Sequence, residues 1–151
     1  MKRFRFSLQP LALVRAYREQ QAKAIFAAAV QAHVKAESEL AHARARVAAF
    51  ETALHAGRQQ AFSAATAAEA MHAYRDECGL EKAAEQAVNA AQDVMAQRRA
   101  DYLAAHLNLE LVHRLEAKAR ILHRAENARA EQAEFDDFSG RRAQRPSHFK
   151  S

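Results

Sequence analysis

Histidine is the residue type in this sequence best suited to chemistry, because its ring can bind a metal or carry a proton near neutral pH. The eight histidines are scattered along the chain: His33, His42, His55, His72, His106, His113, His123 and His148. No two of them form, together with a carboxylate, the i, i+4 motif that zinc hydrolases place on a helix. His106 and His113 share a helix face because they are seven residues apart, as surface histidines often do by chance. We therefore expect no metal site and no cofactor.

Other catalytic patterns are weak as well. Cys78 is the single cysteine, and no base is placed beside it in a way that the sequence identifies. The chain has only 3 glycines and no glycine-rich phosphate-binding loop. We expect a protein that is not an enzyme. One thiol cannot form an internal disulfide framework, which favours the reducing cytoplasm.

The composition predicts long helices and no strands. Alanine fills about a quarter of the positions, and Glu, Gln and Arg supply many of the others, all of them strong helix formers. No glycine or proline occurs from Leu11 to Ala56 or from Leu80 to Ser139. Both stretches exceed the ~25 residues beyond which an uncapped helical pattern indicates a coiled coil.

The apolar spacing indicates that the two helices pack against each other. Steps of four and three keep one stripe of the first helix facing a partner, and this stripe comprises Ala22, Phe26, Ala29, His33, Ala36, Leu40, Ala43, Val47, Phe50 and Leu54. The second helix repeats the pattern at Val88, Ala91, Met95, Arg98, Tyr102, Ala105, Leu109 and Val112, and a shift of register would continue it through Leu115, Ala119 and Leu122. The fold class predicted is all-α, a long antiparallel two-helix coiled-coil hairpin, and a closed hairpin should be a monomer.

The glycines and prolines, which interrupt helices, set the expected boundaries. We assign residues 1–140 to a single antiparallel coiled-coil domain, with a first rod at about 8–56, a bend at about 57–79 and a second rod at about 80–138. Residues 141–151 form a basic C-terminal tail. In the segment 58–78, Phe62, Met71 and Tyr74 are either the apolar face of a short helix across the bend or the first turns of the second rod. We favour helix with a loop near 57–65, which makes Gly79 a weak point inside a long helix.

Two polar residues fall on the predicted stripes. His33 should find a backbone or carboxylate partner there, and Arg98 should extend its charged end to solvent. Polar residues at such positions can also specify the register of a coiled coil at some cost in stability.

The basic residues are concentrated at the two ends of the chain, although the formal net charge is only +5. An antiparallel hairpin brings these ends together, and they carry Lys2, Arg3, Arg5, Arg15, Arg18, Arg141, Arg142, Arg145 and Lys150 with the interleaved Phe4, Phe6, Phe138 and Phe149. Such an end is either a pair of solvated tails or a docking surface for an anionic or protein partner. A signal peptide is not expected, because Arg15 and Arg18 interrupt the apolar run at 11–14. Charged residues likewise interrupt every stretch that could span a membrane.

Both ends of the chain carry distinctive motifs. The opening "FRFSLQPLALVRAYREQQA" at 4–22 has an aromatic-basic start, followed by Leu-x-x-Leu, Arg and Glu before a long helix. The closing "RAENARAEQAEFDDFSGRRAQR" at 124–145 has an acidic-aromatic step before a basic tail. In these motifs both ends resemble those of the flagellar export protein FliJ family. The resemblance implies a non-catalytic stalk like that of rotary ATPases, which binds the hexameric flagellar export ATPase and promotes its assembly or activity. It further implies contact with the cytoplasmic domain of the export-gate membrane protein and escort of export chaperones.

The resemblance also assigns candidate contact residues. Those for the ATPase ring are Arg3, Phe4, Arg5, Phe6, Leu8, Leu11, Arg15, Phe135, Phe138, Arg141 and Arg142. Those for the export gate are Met71, Tyr74 and Leu80, early in the second rod. The location implied is the cytoplasm, with peripheral association with the inner membrane at the flagellar base through these partners.

Three alternatives stay open from the sequence. One is the equivalent stalk of a virulence-type secretion system, which differs little in sequence pattern. The others are a nucleic-acid-binding coiled coil and an adaptor that self-associates through its rods. Nucleic acid is not an expected partner, because the arginines of the rods alternate with Glu and Asp and the tails lack a recognition motif.

Overall fold

Two helices account for nearly all of the described chain. The computed structural model describes residues 3–60 and 63–143, with α1 at Gln9–Gly57 and α2 at Ala64–Ala143. No strand occurs in these ranges, and the two helices pack against each other, which confirms the all-α class. The tail residues from Gln144 onward, together with Lys2 and Phe62, lie outside the described residues.

The connection between the helices is shorter than the predicted bend. Helix α2 begins at Ala64, so residues 64–79 belong to it and form no separate short helix. Ser63 explains the early start: its Oγ accepts a hydrogen bond from the Thr66 backbone N–H at 3.2 Å, as an N-cap residue does. The loop expected near 57–65 is confirmed, and Gly79 lies inside α2.

The C-terminal boundary of the second helix also differs from the prediction. Helix α2 ends at Ala143 rather than near 138, so Arg141 and Arg142 are helical instead of part of a tail. The helix continues through the weak helix formers at 135–139, and Gly140 does not end it. The contacts divide the chain into two compact units, one holding the residues up to Tyr17 and from His106 onward, the other Arg18–Ala105. The assignment of residues 1–140 to one domain stays a prediction.

In the Arg18–Ala105 unit, the predicted stripe of α1 is the buried face. Ala29, Leu40, Ala43 and Val47 are buried, and the other six members are half-buried. Burial of the Leu40 and Val47 side chains stabilises the packing of the two helices by roughly 1.5–3 kcal/mol each. The α2 stripe from Val88 to Ala105 is half-buried throughout.

Ion pairs across this unit show that the helices are antiparallel. Arg44 of α1 pairs with Glu81 and Glu85 of α2, and the later Arg46 pairs with the earlier Glu77. Within the stripes, His33 lies 3.7 Å from Glu37, which confirms a carboxylate partner. Arg98 is half-buried and its guanidinium meets Asp101 at 3.1 Å.

In the other unit, the stripe of α2 continues without a shift of register. Val112 is fully buried, and Glu116, Ala119, His123 and Asn127 follow it as half-buried residues. The prediction that Leu115 and Leu122 continue the stripe is wrong, because these side chains are 50% and 56% exposed. Polar residues occupy the inner face here because Glu116 pairs with Arg120 and Asn127 hydrogen-bonds His123.

Candidate partner-binding surfaces

Phe4 attaches the N-terminal segment to helix α2. Its ring lies 5.5 Å from the His123 ring, and the guanidinium carbon of Arg120 lies 5.1 Å from the Phe4 ring centroid. Glu116 accepts two hydrogen bonds from Arg120, at 2.7 and 3.2 Å, and so orients the guanidinium. A cation over an aromatic ring contributes about 0.5–1 kcal/mol at an exposed site. The aromatic start of the chain therefore has a defined position.

A groove of about 480 Å³ surrounds Phe4. It is lined by Phe4, Arg5, Phe6, Ser7, Gln9, Glu116 and Arg120. Arg3 and Arg5 are exposed, and Phe6 is half-buried. We call Arg3, Phe4, Arg5, Phe6 and the Arg120 beside them the N-terminal cluster. It combines cations with aromatic surface, a combination common at protein–protein interfaces.

Arg15 has a structural contact that the sequence did not suggest. Its Nη1 donates a 2.8 Å hydrogen bond to the backbone carbonyl of Asn108 on α2. Leu8 and Leu11 are exposed in the same segment. Of these three candidates, the leucines are open to a partner, whereas Arg15 ties α1 to α2.

The C-terminal candidates form a second cluster. Phe135 and Phe138 are 72% and 66% exposed and line a groove of about 330 Å³ with Glu131 and Glu134. Arg141 and Arg142 are exposed in the following turn. Phe135 lies twelve residues beyond His123, about 18 Å along the helix. The structure thus separates the aromatic residues of the two ends into two clusters instead of one.

Several exposed apolar residues of the same unit were not singled out from the sequence as contact residues. They are Leu13, Val14 and Tyr17 on α1 and Leu107, Leu111 and Ile121 on α2. The sequence alone could have identified them, because each is an apolar residue outside the four-and-three stripe of its helix, where a polar residue is usual. A concentration of apolar side chains on the outer faces is typical of a contact surface.

The export-gate candidates do not share one face. Met71 and Leu80 are nine residues apart, two and a half helical turns, so they point to opposite sides of α2. Tyr74 is half-buried and donates a 2.8 Å hydrogen bond to Glu51 on α1. Met71 lines a groove of about 430 Å³ next to the loop, with Leu54, Arg58, Gln60, Ala67 and Ala70. Met71 is the candidate that the structure associates with a groove.

The described residues bring no metal-binding group together. Within 3–60 and 63–143, no three side chains of His, Cys, Asp or Glu are placed to hold an ion. The helices in these ranges also contain no apolar stretch of the length and hydropathy that a membrane span requires.

A comparison with protein families identifies the chain's relatives. The family model described as "Flagellar FliJ protein" matches residues 4–148, and so covers both end motifs and the two helices between them. The chain belongs to the FliJ family. No curated protein and no solved structure gives a significant match. Membership of the FliJ family makes the chain a component of the flagellar export apparatus.

Proposed function

We propose that this FliJ family member is a non-catalytic stalk that binds the hexameric export ATPase and links it to the export gate. The observation that carries the proposal is the position of Phe4, held between His123 and Arg120. This contact presents the basic-aromatic start of the chain as an ordered surface on α2. A frayed terminus would lose more conformational entropy on binding.

The chemistry of the N-terminal cluster suits a ring with acidic and apolar groups on its inner surface. Arg3 and Arg5 supply exposed positive charge, and Phe4 and Phe6 supply aromatic surface beside it. Charge complementarity speeds association and selects the partner, while the aromatic residues provide most of the contact energy. The stalk contributes contacts, and hydrolysis takes place in the ATPase.

The C-terminal cluster is the second contact of the proposal. Phe135, Phe138, Arg141 and Arg142 are all exposed on α2. Phe135 is the first of them, and it already lies about 18 Å along α2 from His123, which contacts Phe4, so we expect this cluster to meet a different level of the ring. The two clusters should therefore contribute independently to binding.

Other partners follow from the family. We propose that the groove beside Met71 contacts the cytoplasmic domain of the export-gate protein, and that the chain escorts export chaperones. These contacts would hold a cytoplasmic protein at the inner membrane at the base of the flagellum. The hairpin acts as a monomer in these contacts.

The test is a pull-down against the cognate export ATPase with hydrolysis measured in parallel. The variants are Arg3→Glu/Arg5→Glu and Arg141→Glu/Arg142→Glu, each reversing two charges in one cluster. Lys23→Glu/Arg99→Glu is the matched control, because it makes the same charge change at exposed residues of the other unit. Circular dichroism should show the same helix content in all four proteins.

We expect each cluster variant to weaken ATPase binding by about tenfold or more and to reduce stimulation of hydrolysis, since like charges would then face each other. The control should bind as the unmodified chain does. Undiminished binding by both cluster variants would refute the assignment. An equal loss in the control would mean that net charge, rather than either cluster, drives binding.

A further inference from the structure

Every residue from Ala128 to Arg142 on helix α2 is exposed. Among the residues whose burial the structure describes, Asn127 is the last that is half-buried, and Phe4 contacts α2 at Arg120 and His123. Helix α2 thus continues to Ala143, about five and a half turns past His123, the later of the two residues that Phe4 contacts. We call residues 128–142 the α2 extension. It carries two of the most exposed large apolar side chains of the described chain, Phe135 and Phe138.

One face of the α2 extension has a palindromic pattern. Glu131, Phe135, Phe138 and Arg142 follow one another at steps of four, three and four, which places them on one side of a helix. The acid lies four residues before the phenylalanine pair and the base lies four residues after it. An antiparallel pair with its two-fold axis at the middle of the two phenylalanines therefore places the acid of one copy opposite the base of the other.

We propose that the α2 extension binds the same extension of a second copy in an antiparallel two-fold pair. Phe135 of each copy then packs against Phe138 of the other. Glu131 of each copy likewise faces Arg142 of the other. Such an interface is self-complementary, as two-fold symmetry requires. A parallel pair would place Glu131 against Glu131 and Arg142 against Arg142, which like-charge repulsion disfavours.

The neighbouring charges are compatible with this arrangement. Asp136 and Asp137 flank the face on its outer sides, about 130° from its centre at 100° per residue, so they do not meet across the two-fold axis. Glu131 and Glu134 line the groove beside the two phenylalanines, and this acidic edge favours a cationic group such as Arg142 as its neighbour.

The size of the contact predicts a weak dimer. About four helical turns from each copy meet, which is less than the ~1,200–2,000 Å² of surface that stable complexes bury. The dimer should therefore form only at high concentration. Because the same face contains Phe135, Phe138 and Arg142, pairing and ring binding would exclude each other; this consequence, unlike the pairing itself, rests on the proposed function.

The experiment is sedimentation equilibrium of the full chain from about 10 µM to about 1 mM, a range that brackets a weak dissociation constant. The unmodified chain should pass from monomer to dimer across this range. Glu131→Arg and Arg142→Glu should each raise the dissociation constant about tenfold or more, because each places like charges opposite one another. Asp137→Arg is the matched control: it makes the same charge change off the face and should leave dimerisation in place.

A mixture of the two single variants gives the decisive readout. Glu131→Arg has bases at both ends of the face and Arg142→Glu has acids at both ends, so each should stay monomeric alone and the two should pair when mixed. The double variant Glu131→Arg/Arg142→Glu should again dimerise by itself. A monomer at every concentration, or no pairing in the mixture, would overturn the proposal. The ATPase is absent from these samples, so such a failure would leave the proposed stalk function standing.

Discussion

The Phe26 and Tyr102 rings lie stacked across the two helices of the Arg18–Ala105 unit, with centroids 6.2 Å apart and planes 7° from parallel. Phe26 lies in the first half of α1, and Tyr102 lies near the middle of α2. Arg44 comes later in α1 and pairs with Glu85, which comes earlier in α2, so the two helices are antiparallel in this unit. The stacked pair therefore marks the register of this unit.

The first prediction concerns this stacked pair. Phe26→Ala should lower the free energy of unfolding by about 2–3 kcal/mol, slightly below the range for a fully buried phenylalanine, since Phe26 is half-buried. Tyr102→Ala should also destabilise the fold. Urea unfolding of both single variants and the double variant should give a coupling free energy of about 0.5–1.5 kcal/mol. Strict additivity of the two effects would show that the rings do not interact.

The second prediction concerns close packing at Ala43, which is 2% exposed. Ala43→Leu should lower the free energy of unfolding by about 1–3 kcal/mol, because the larger side chain forces the helices apart. Ala45→Leu introduces the same side chain at an exposed position of α1 and serves as the control. Equal melting temperatures for the two variants would contradict close packing at Ala43.

The third prediction concerns Gly79 inside helix α2. A Cβ built there meets no atom within 4 Å, and no glycine of the described residues has a positive φ. Gly79→Ala should therefore raise the free energy of unfolding by about 0.5–1 kcal/mol, since glycine loses more backbone entropy in a helix than alanine. Thermal unfolding followed by circular dichroism measures the change. A lower melting temperature would mean that this part of α2 needs a flexible residue.

The fourth prediction concerns the pH dependence of the Tyr74 hydroxyl. Its hydrogen bond to Glu51, and next the neighbouring Cys78, raise the pKa of the phenol above its ordinary value of 10.0. The unfolded chain loses this proton first as the pH rises, so the contribution to stability is complete below pH 10.0 and declines above it. Glu51→Gln should lower the pKa of Tyr74, because it removes the carboxylate charge.

Tyrosinate absorbance during an alkaline titration measures this effect. In the unmodified chain, part of the tyrosinate absorbance should appear only at the highest pH values; we call this part the late component. Tyr74→Phe should remove it, and Glu51→Gln should move it to lower pH. Tyr17→Phe removes a phenol outside this hydrogen bond and should leave the late component in place. An unchanged titration in Glu51→Gln would exclude the carboxylate as the cause.

Local spacing was sufficient to predict the helical class and the inner face of α1. All ten residues of the predicted α1 stripe are buried or half-buried, because a step of four and three along a helix specifies one face whatever the partner is. The end motifs of the family are also local and were recognisable without a fold. The start of α2 was predicted less well, since the bend of 57–79 was drawn from glycine positions rather than from the Ser63 cap.

The sequence by itself thus determined two long helices, their inner stripes and the family. Only the tertiary structure decided which parts of α1 and α2 meet. In the unit that contains the start of the chain, Phe4 packs on Arg120 and His123, and α2 continues beyond them to Ala143. Phe4 therefore does not join Phe135 and Phe138. The register of a pair depends on contacts between distant residues, and these contacts form only when the chain folds.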